Sequence, residues 1–298
     1  DRVSPDLAAA FEDPSIDAVI IAASTETHAA GIMEAARSGK AAFCEKPIAL
    51  DLDATDAALA AVSSAGTMLQ IGFQRRFDAG YARARSDIAE GRLGSIEMIR
   101  DAMRDPASPP RTYLERSGGL FRDMTIHNFD CVRWLKGADP VEVFAMATAL
   151  TGEEVQSVGD VDTSLVSMRF ADGSLASIEN SRRSGFGYDV RTEVFGSDGA
   201  MLIGESRQTS IRWLDDKGVH EDHRYFFLER FAQAYEREII SFVDCVRSGL
   251  EPTVTGADGR AAMVLAMAAE QSLKLQRPVS PIGVAPHAEP METTNAQT

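Results

Sequence analysis

The sequence predicts an α/β domain built on a parallel sheet, followed by an α+β domain with a mostly antiparallel, open sheet. In residues 1–73, short apolar runs alternate with helical patterns. Between residues 141 and 214, six strand-like segments follow one another, and no long helix separates them. The length of 298 residues agrees with two domains at roughly 150 residues each. We place the second domain at residues 74–282 and a disordered tail, which has no aromatic residue, at 283–298.

The first domain begins with a continuous apolar run, which is typical of a strand buried on both faces of a parallel sheet. Gly39 follows the first long helical pattern as a helix-ending residue, and Asp51 opens the second. Strands that alternate with helices imply right-handed crossovers and a doubly wound sheet. The predicted elements are strands at 17–23, 41–44 and 67–71 and helices at 27–38 and 51–64.

In the second domain the order of predicted elements changes: helices and strands no longer alternate, and several strands follow one another. Asp172-Gly173 and Asp198-Gly199 lie between such strands and indicate hairpins. Consecutive strands that are joined by tight turns predict antiparallel pairing. The predicted strands lie at 96–104, 141–150, 161–170, 174–182, 188–195, 200–204 and 209–214, and the helices at 81–90, 124–135, 226–248 and 259–275.

The charge balance excludes two classes of partner. The chain has 30 Lys and Arg against 45 Asp and Glu, a formal net charge of −15. Nucleic acid and anionic membrane surfaces both need clustered basic residues, so we expect neither as a partner. The three cysteines form no CxxC pair, and no apolar run approaches the roughly 20 residues that span a bilayer. We therefore expect free thiols and a cytoplasmic location.

Lys46 is the first candidate for chemistry. It lies in Glu45-Lys46-Pro47, directly after a predicted parallel strand. Ligands of open α/β sheets bind beyond the carboxyl ends of the strands, and a lysine there supplies a cationic donor. The alternative is an ordinary solvated lysine.

The second candidate is the helical run Asp123-Met-Thr-Ile-His127-Asn-Phe-Asp130. The spacing of four residues places Asp123 and His127 on one helix face, and Asp130 lies three residues beyond His127. A histidine flanked by carboxylates can act as a general base near neutral pH. The alternative is a surface histidine with acidic neighbours.

Three further segments carry polar groups of less certain use. Arg75 and Arg76 lie at the junction of the two domains, where they could hold a phosphate or a substrate oxygen, or form an interdomain ion pair. Tyr188 could reach the cleft as a hydroxyl donor or simply pack in the second sheet. His220 and His223 stand in a segment that reads as a charged loop without a third ligand, so we predict no metal site.

Together these segments resemble the glucose-fructose oxidoreductase, inositol dehydrogenase and rhizopine-catabolism (Gfo/Idh/MocA) family. The resemblance rests on Thr25-x-Thr-His28, Glu45-Lys46-Pro47, Gly72-Phe-Gln-Arg-Arg-Phe-Asp78 and Gly118-Gly119 followed by Asp123-x-x-x-His127-x-x-Asp130. The series Phe231, Tyr235, Glu238, Phe242, Gly249, Pro252 and Asp258-Gly259 fits as well. The match covers nearly the whole chain except the tail and is nearest to the inositol dehydrogenase-like branch.

The resemblance implies a Rossmann domain that binds NAD or NADP, and hydride transfer to or from a secondary alcohol of a sugar or cyclitol. It implies that Lys46 binds the reacting oxygen, that His127 is the general base and that Asp123 orients both substrate and base. Asp130 and Tyr188 would be secondary polyol contacts. The residues along the cofactor would be Ser24, Thr25, His28, Glu45, Lys46 and Arg76. A homodimer or homotetramer is also implied.

One departure separates the chain from the family pattern. The sequence contains no G-x-G-x-x-G turn, which normally holds the pyrophosphate at a helix N-terminus. The start of the chain resembles the segment that comes after the second strand of such domains, so we expect a β-α-β unit of roughly fifty residues to be missing before Asp1. This motivates a second hypothesis, a non-catalytic sugar-binding or oligomer-forming protein that has lost its dinucleotide-binding half.

Overall fold

The structure is a computed structural model that describes residues 7–204 and 207–283. The disordered tail predicted at 283–298 therefore lies, apart from Gly283, outside the described residues. None of the helices in these two ranges combines the length and apolar character needed to cross a bilayer. The described part of the chain also holds no group of three or more His, Cys, Asp or Glu suited to a metal ion.

The first domain contains a parallel sheet, as the sequence predicts. Its three strands pair in the order β1-β2-β3. The Asp51 carboxylate accepts a hydrogen bond from the Ala54 N–H, and Gly66 in the left-handed conformation ends the same helix. The elements are α1 (Leu7–Glu12), β1 (Ala18–Ile21), α2 (Thr25–Arg37), β2 (Ala41–Glu45), α3 (Leu52–Ala65) and β3 (Leu69–Gly72).

The second domain is a six-stranded, mostly antiparallel sheet with helices on one face. A 3₁₀ turn (Gln74–Phe77) leads into it from β3, and a π-helical turn (Phe121–Thr125) precedes its central helix. The helices are α4 (Ala79–Ala89), α5 (Arg111–Leu114), α6 (Ile126–Lys136), α7 (Glu153–Ser157), α8 (Phe227–Ser248) and α9 (Gly256–Leu275). The strands are β4 (Ile96–Arg104), β5 (Pro140–Thr148), β6 (Thr163–Phe170), β7 (Leu175–Ser181), β8 (Asp189–Gly196), β9 (Gly199–Ile203), β10 (Arg207–Asp215) and β11 (Gly218–His223).

One pair of neighbouring strands in this sheet is parallel. The strand order is β5-β6-β7-β4-β8-β9, and the contact between β7 and β4 runs parallel while the others run antiparallel. Arg104 and Ser181 are opposite each other at the ends of these two strands. The next residues along the chain, Asp105 and Arg182, therefore leave the sheet at the same edge, and the Asp105 N–H donates to the Ser181 carbonyl.

Helix α9 packs against both domains. It contacts α3 and β3 of the first domain, and α6, β5 and the π-helical turn of the second. Its N-terminus carries a capping box in which Thr255 and Asp258 satisfy each other's backbone N–H groups. A Cβ on Gly259 would lie 2.9 Å from the Ile48 Cδ1 atom, so a larger residue there would require the Ile48 side chain to move.

The other face of the six-stranded sheet is open. Val143, Val166 and Val194 are fully buried beneath the helices, whereas Met146, Leu165 and Phe195 point outward and are exposed. The sheet therefore has the two-faced pattern typical of antiparallel sheets.

The sequence prediction misses several short elements. Helices α1, α5 and α7 have only four to six residues each, too few to show a helical period. The segment that contains His220 and His223 was expected to be a loop, which is wrong: it forms strand β11 and pairs with β10.

Candidate active site

A cleft of about 690 Å³ lies where the carboxyl ends of β1 and β2 face the second domain. The end of a parallel sheet beside a second domain is a usual place for a ligand. Elements of both domains line the cleft, and its polar side chains are Glu45, Lys46, Gln74, Asp105, Tyr113, Asp123, His127, Tyr188 and Tyr235.

Lys46 bridges the two domains at the floor of this cleft. Its Nζ atom donates to the Asp123 main-chain carbonyl at 2.6 Å and to the Asp123 Oδ1 atom at 3.1 Å. Only 15% of the lysine side chain is exposed. The alternative of a solvated surface lysine therefore does not describe this residue.

Asp123 lies in the π-helical turn, one turn before His127. The Tyr113 hydroxyl donates to its Oδ1 atom at 2.8 Å, and the Arg182 Nη2 atom to its Oδ2 atom at 3.2 Å. Burial alone would raise the pKa of Asp123, but the charge of Lys46 and then that of Arg182 lower it below its usual value. Asp123 is therefore an ionised carboxylate at neutral pH, held by donors from three separate segments.

His127 is buried and lines the cleft from α6. The edge of its ring meets Phe73, with ring centroids 6.0 Å apart, and its Nδ1 atom has no hydrogen-bond partner among the described residues. Burial, and then the charges of Lys46 and Arg75, hold the pKa of His127 well below its usual value. The imidazole is therefore neutral near pH 7 and able to accept a proton. This geometry does not fit the alternative of a surface histidine.

Two further predicted residues line the same cleft. Tyr188 is 3% exposed, and its ring packs edge-on against Phe227 and Phe231, so it both reaches the cleft and packs in the domain interior. Glu45 lies beside Lys46, and burial raises its pKa although the positive charge of Lys46 opposes this.

The predicted cofactor residues after β1 do not all face the cleft. Ser24 precedes α2 as its N-cap residue and Thr25 begins that helix. His28 is buried, with its Nδ1 atom 2.8 Å from the Pro47 carbonyl and its Nε2 atom 3.1 Å from the Ala23 carbonyl. It therefore fastens the end of β1 to the turn that carries Lys46, and both of its ring nitrogens are occupied by main-chain atoms.

Arg76 and Asp130 are away from the cleft, in contrast to what the resemblance implied. The Arg76 Nε atom donates to Asp130 at 3.0 Å, and its Nη2 atom lies 2.9 Å from Asp258. Both Arg76 and Asp130 are buried, and neither is among the residues that line the cleft. Arg75 likewise pairs with the buried Asp101 at 3.2 Å. All of these partners lie within residues 74–282, so the ion pairs are inside the second domain and are not the interdomain pair given as the alternative.

Five polar cleft or cleft-side residues are missing from the predicted site: Gln74, Asp105, Tyr113, Arg182 and Tyr235. Asp105 and Arg182 directly follow β4 and β7. To predict their positions from the sequence, one would have had to recognise that these two strands run parallel and end at the same edge of the sheet. Burial raises the pKa of Asp105 to about 6, although Arg182 opposes this. Tyr235 lies three residues before Glu238 on α8, so its position follows only from how that helix packs.

Comparison with known proteins places this site in a family. Residues 2–73 match the model of an oxidoreductase family with an NAD-binding Rossmann fold, GFO/IDH/MocA, and residues 81–202 match the model of a GFO/IDH/MocA C-terminal domain. The chain belongs to this family of NAD-dependent oxidoreductases.

Its relatives include several named dehydrogenases. It is 42% identical to a myo-inositol 2-dehydrogenase of Thermotoga maritima over 90% of this chain and 81% of the relative. It is 44% identical to an inositol 2-dehydrogenase of Rhizobium meliloti over 89% and 81% of the two chains. A crystal structure of scyllo-inositol dehydrogenase from Lactobacillus casei, with bound NAD(H) and scyllo-inositol, superposes with a TM-score of 0.87 at 29% identity, covering 93% of this chain and 84% of that one.

The residues present fit the nicotinamide end of such a cofactor. The strand ends at Ala22 and Glu45 both open into the cleft, next to the Lys46 ammonium. Ser24 at the start of α2 makes no side-chain cap, and the Thr27 N–H donates to the Ser24 carbonyl at 2.9 Å.

Proposed function

We propose that this protein oxidises a secondary alcohol of a cyclitol, such as an inositol, with NAD as the hydride acceptor. The observation that carries the proposal is the convergence of Lys46, Asp123 and His127 on one cleft, at the carboxyl ends of the parallel strands. The preference for a cyclitol comes from the names of its relatives, and the several hydroxyl and carboxylate groups of the lining suit a polyol.

His127 is the general base in this proposal. When a carbinol carbon loses hydride, its hydroxyl proton becomes acidic and must leave. The neutral imidazole accepts that proton, and the oxygen keeps the electron pair of the O–H bond to complete the carbonyl. In the reverse direction the imidazolium returns the proton to the oxygen.

Lys46 stabilises the oxygen while its charge is changing. Its ammonium has three donors, and Asp123 occupies two of them through its carbonyl and carboxylate oxygens. The third donor remains for the substrate oxygen. A fixed cation in a partly dry cleft stabilises a developing alkoxide more than it would in water.

When bound, NAD supplies the hydride acceptor, and the protein supplies binding, orientation and proton transfer. Glu45 and the residues at the start of α2 would hold the nicotinamide end beside Lys46.

The test is an assay of NAD and NADP reduction by the purified protein with myo-inositol, scyllo-inositol and several aldoses. We expect turnover with at least one inositol and little with the aldoses. Absence of turnover with every cyclitol would contradict the proposal. Binding of a cyclitol without any turnover would favour the non-catalytic hypothesis, which the complete Lys, Asp and His set does not support.

We further propose a homodimer or homotetramer that is located in the cytoplasm. The exposed apolar side chains on the open sheet face favour self-association. Cys44, Cys131 and Cys245 are all free and buried, as expected in a reducing compartment.

A further inference from the structure

Arg182 is a buried cation directly behind the proposed catalytic groups. It follows β7, its side chain is 1% exposed, and its main-chain N–H donates to the Asp162 carbonyl at 2.8 Å. Its Nη2 atom lies 3.2 Å from the Asp123 Oδ2 atom, and its Nε atom has no partner within the described ranges. Its planar guanidinium carries a positive charge and several N–H donors in a fixed geometry.

The two oxygens of the Asp123 carboxylate have different partners. Lys46 and Tyr113 donate to Oδ1, and Arg182 donates to Oδ2. Without Arg182, the Oδ2 atom would lose this donor in a nearly dry site, and the carboxylate would be free to rotate about its terminal bond.

We infer that Arg182 is a positioning residue, which holds the Asp123 carboxylate in place so that Asp123 in turn directs the Lys46 ammonium at the reacting oxygen. The inference rests on the proposed function. Arg182 does not itself line the cleft, so it can affect the reaction only through Asp123 and Lys46.

The groups that face Asp123 come from five segments. Lys46 follows β2, Tyr113 belongs to α5, Asp105 follows β4, His127 belongs to α6 and Arg182 follows β7. Among them Lys46 and Arg182 carry positive charge, and Asp105 adds negative charge as it ionises. Loss of one of the two cations should therefore make Asp123 easier to protonate.

The test compares Arg182→Met with Arg183→Met, a substitution of the exposed neighbour. For Arg182→Met we expect kcat/KM to fall about 10- to 100-fold. We also expect the acidic limb of the pH profile of kcat/KM to move to higher pH by about one pH unit. Arg182→Lys should restore the position of the limb because it restores the charge. Arg183→Met should match the parent in both respects.

A second readout does not depend on turnover. Titration of the ¹³C carboxyl resonances, with Asp123 assigned from Asp123→Asn, should show the Asp123 midpoint moving upward in Arg182→Met. Arg182→Gln, which keeps a donor without the charge, repeats the comparison if the methionine variant does not fold. An unmoved midpoint and an unmoved acidic limb in a folded variant would overturn the inference. Absence of cyclitol turnover in the parent would instead count against the proposed function, and the carboxyl titration would still decide the role of Arg182.

Discussion

The imidazole of His127 and the ammonium of Lys46 have different surroundings, and the difference suits their proposed roles. His127 lies against Phe73 with an unpartnered nitrogen, whereas Lys46 is held by two oxygens of Asp123. An apolar setting keeps the imidazole neutral, and the Asp123 oxygens hold the Lys46 ammonium in position.

Truncation of either residue tests these roles. His127→Ala and Lys46→Ala should each reduce kcat by on the order of 10²-fold or more, since each removes an acid–base or charge-stabilising group. Steady-state assays at saturating cyclitol and NAD measure this, with thermal unfolding as the control for folding. Near-parental kcat in both variants would show that other residues carry the chemistry.

Of the residues in the site, those with a local signal could be predicted from the sequence. Lys46 follows a strand directly, and Asp123 and His127 share a helical spacing, so their positions follow from short-range periodicity. Arg182 and Tyr235 reach the site through strand pairing and helix packing between distant segments. The sequence pattern also does not show that Arg76 and Asp130 pair with each other outside the lining of the cleft, because the two residues are 54 positions apart in the chain.

At the scale of elements, α8 places an acid in the protein interior. Glu238 is 1% exposed, its Oε1 atom has no partner among the described residues, and the Gln70 side chain donates to its main-chain carbonyl at 3.0 Å. Burial, and then the negative charges of Glu45 and Asp130, raise the pKa of Glu238 to about 9. The side chain is therefore neutral in the folded protein at pH 7.

This pKa predicts a pH-dependent effect of Glu238→Gln. The folded state keeps a proton that the unfolded chain releases above its ordinary pKa of 4.5, so this residue costs stability increasingly as the pH rises from 4.5 towards 9. The glutamine variant should therefore gain about 4 kcal/mol relative to the parent between pH 4.5 and pH 8. Urea unfolding at the two pH values measures the difference, and an equal effect at both would contradict it.

The 3₁₀ turn between the domains depends on the Arg76 ion pair. Arg76→Met should destabilise the protein by about 3–5 kcal/mol, because it leaves the buried Asp130 carboxylate without its main cation. Arg83→Met removes an exposed pair with Asp87 and should cost less than about 1 kcal/mol. Urea unfolding compares the two, and a change in KM for NAD without a loss of stability would instead favour direct cofactor contact.

The predictability of elements follows from their length. The long strands and helices show clear alternation or helical spacing, whereas α5 and α7 are too short to show a period. The π-helical turn at Phe121–Thr125 contains one more residue than an α-helical turn. Its residue types are those of an ordinary helix, so the sequence does not reveal it. The parallel pairing of β4 and β7 likewise cannot be predicted from the sequence pattern. A strand shows the same alternation of apolar and polar residues whether its neighbour runs parallel or antiparallel.

At the scale of the whole molecule, the open sheet face is the surface most suited to self-association. Leu165 is paired with Met146 on this face, and both side chains are exposed. Leu165→Lys should lower the oligomeric state seen by light scattering, since it places a charge in an apolar contact. Ile240→Lys, which alters an exposed apolar residue on α8, is the matched control and should leave the oligomer intact. A parent that is monomeric at all concentrations would contradict self-association itself.

Helix α9 bears on how substrate enters and product leaves. The helix packs against β3 and α3 on one side and against α6 and β5 on the other. Rotation of one domain relative to the other would therefore expose apolar side chains that these contacts bury. A helix packed against both domains in this way restricts hinge closure. Domains that are joined only by flexible linker segments can close more freely. Substrate should then enter and leave with little change in the width of the cleft, which the partly exposed Tyr113 helps to line.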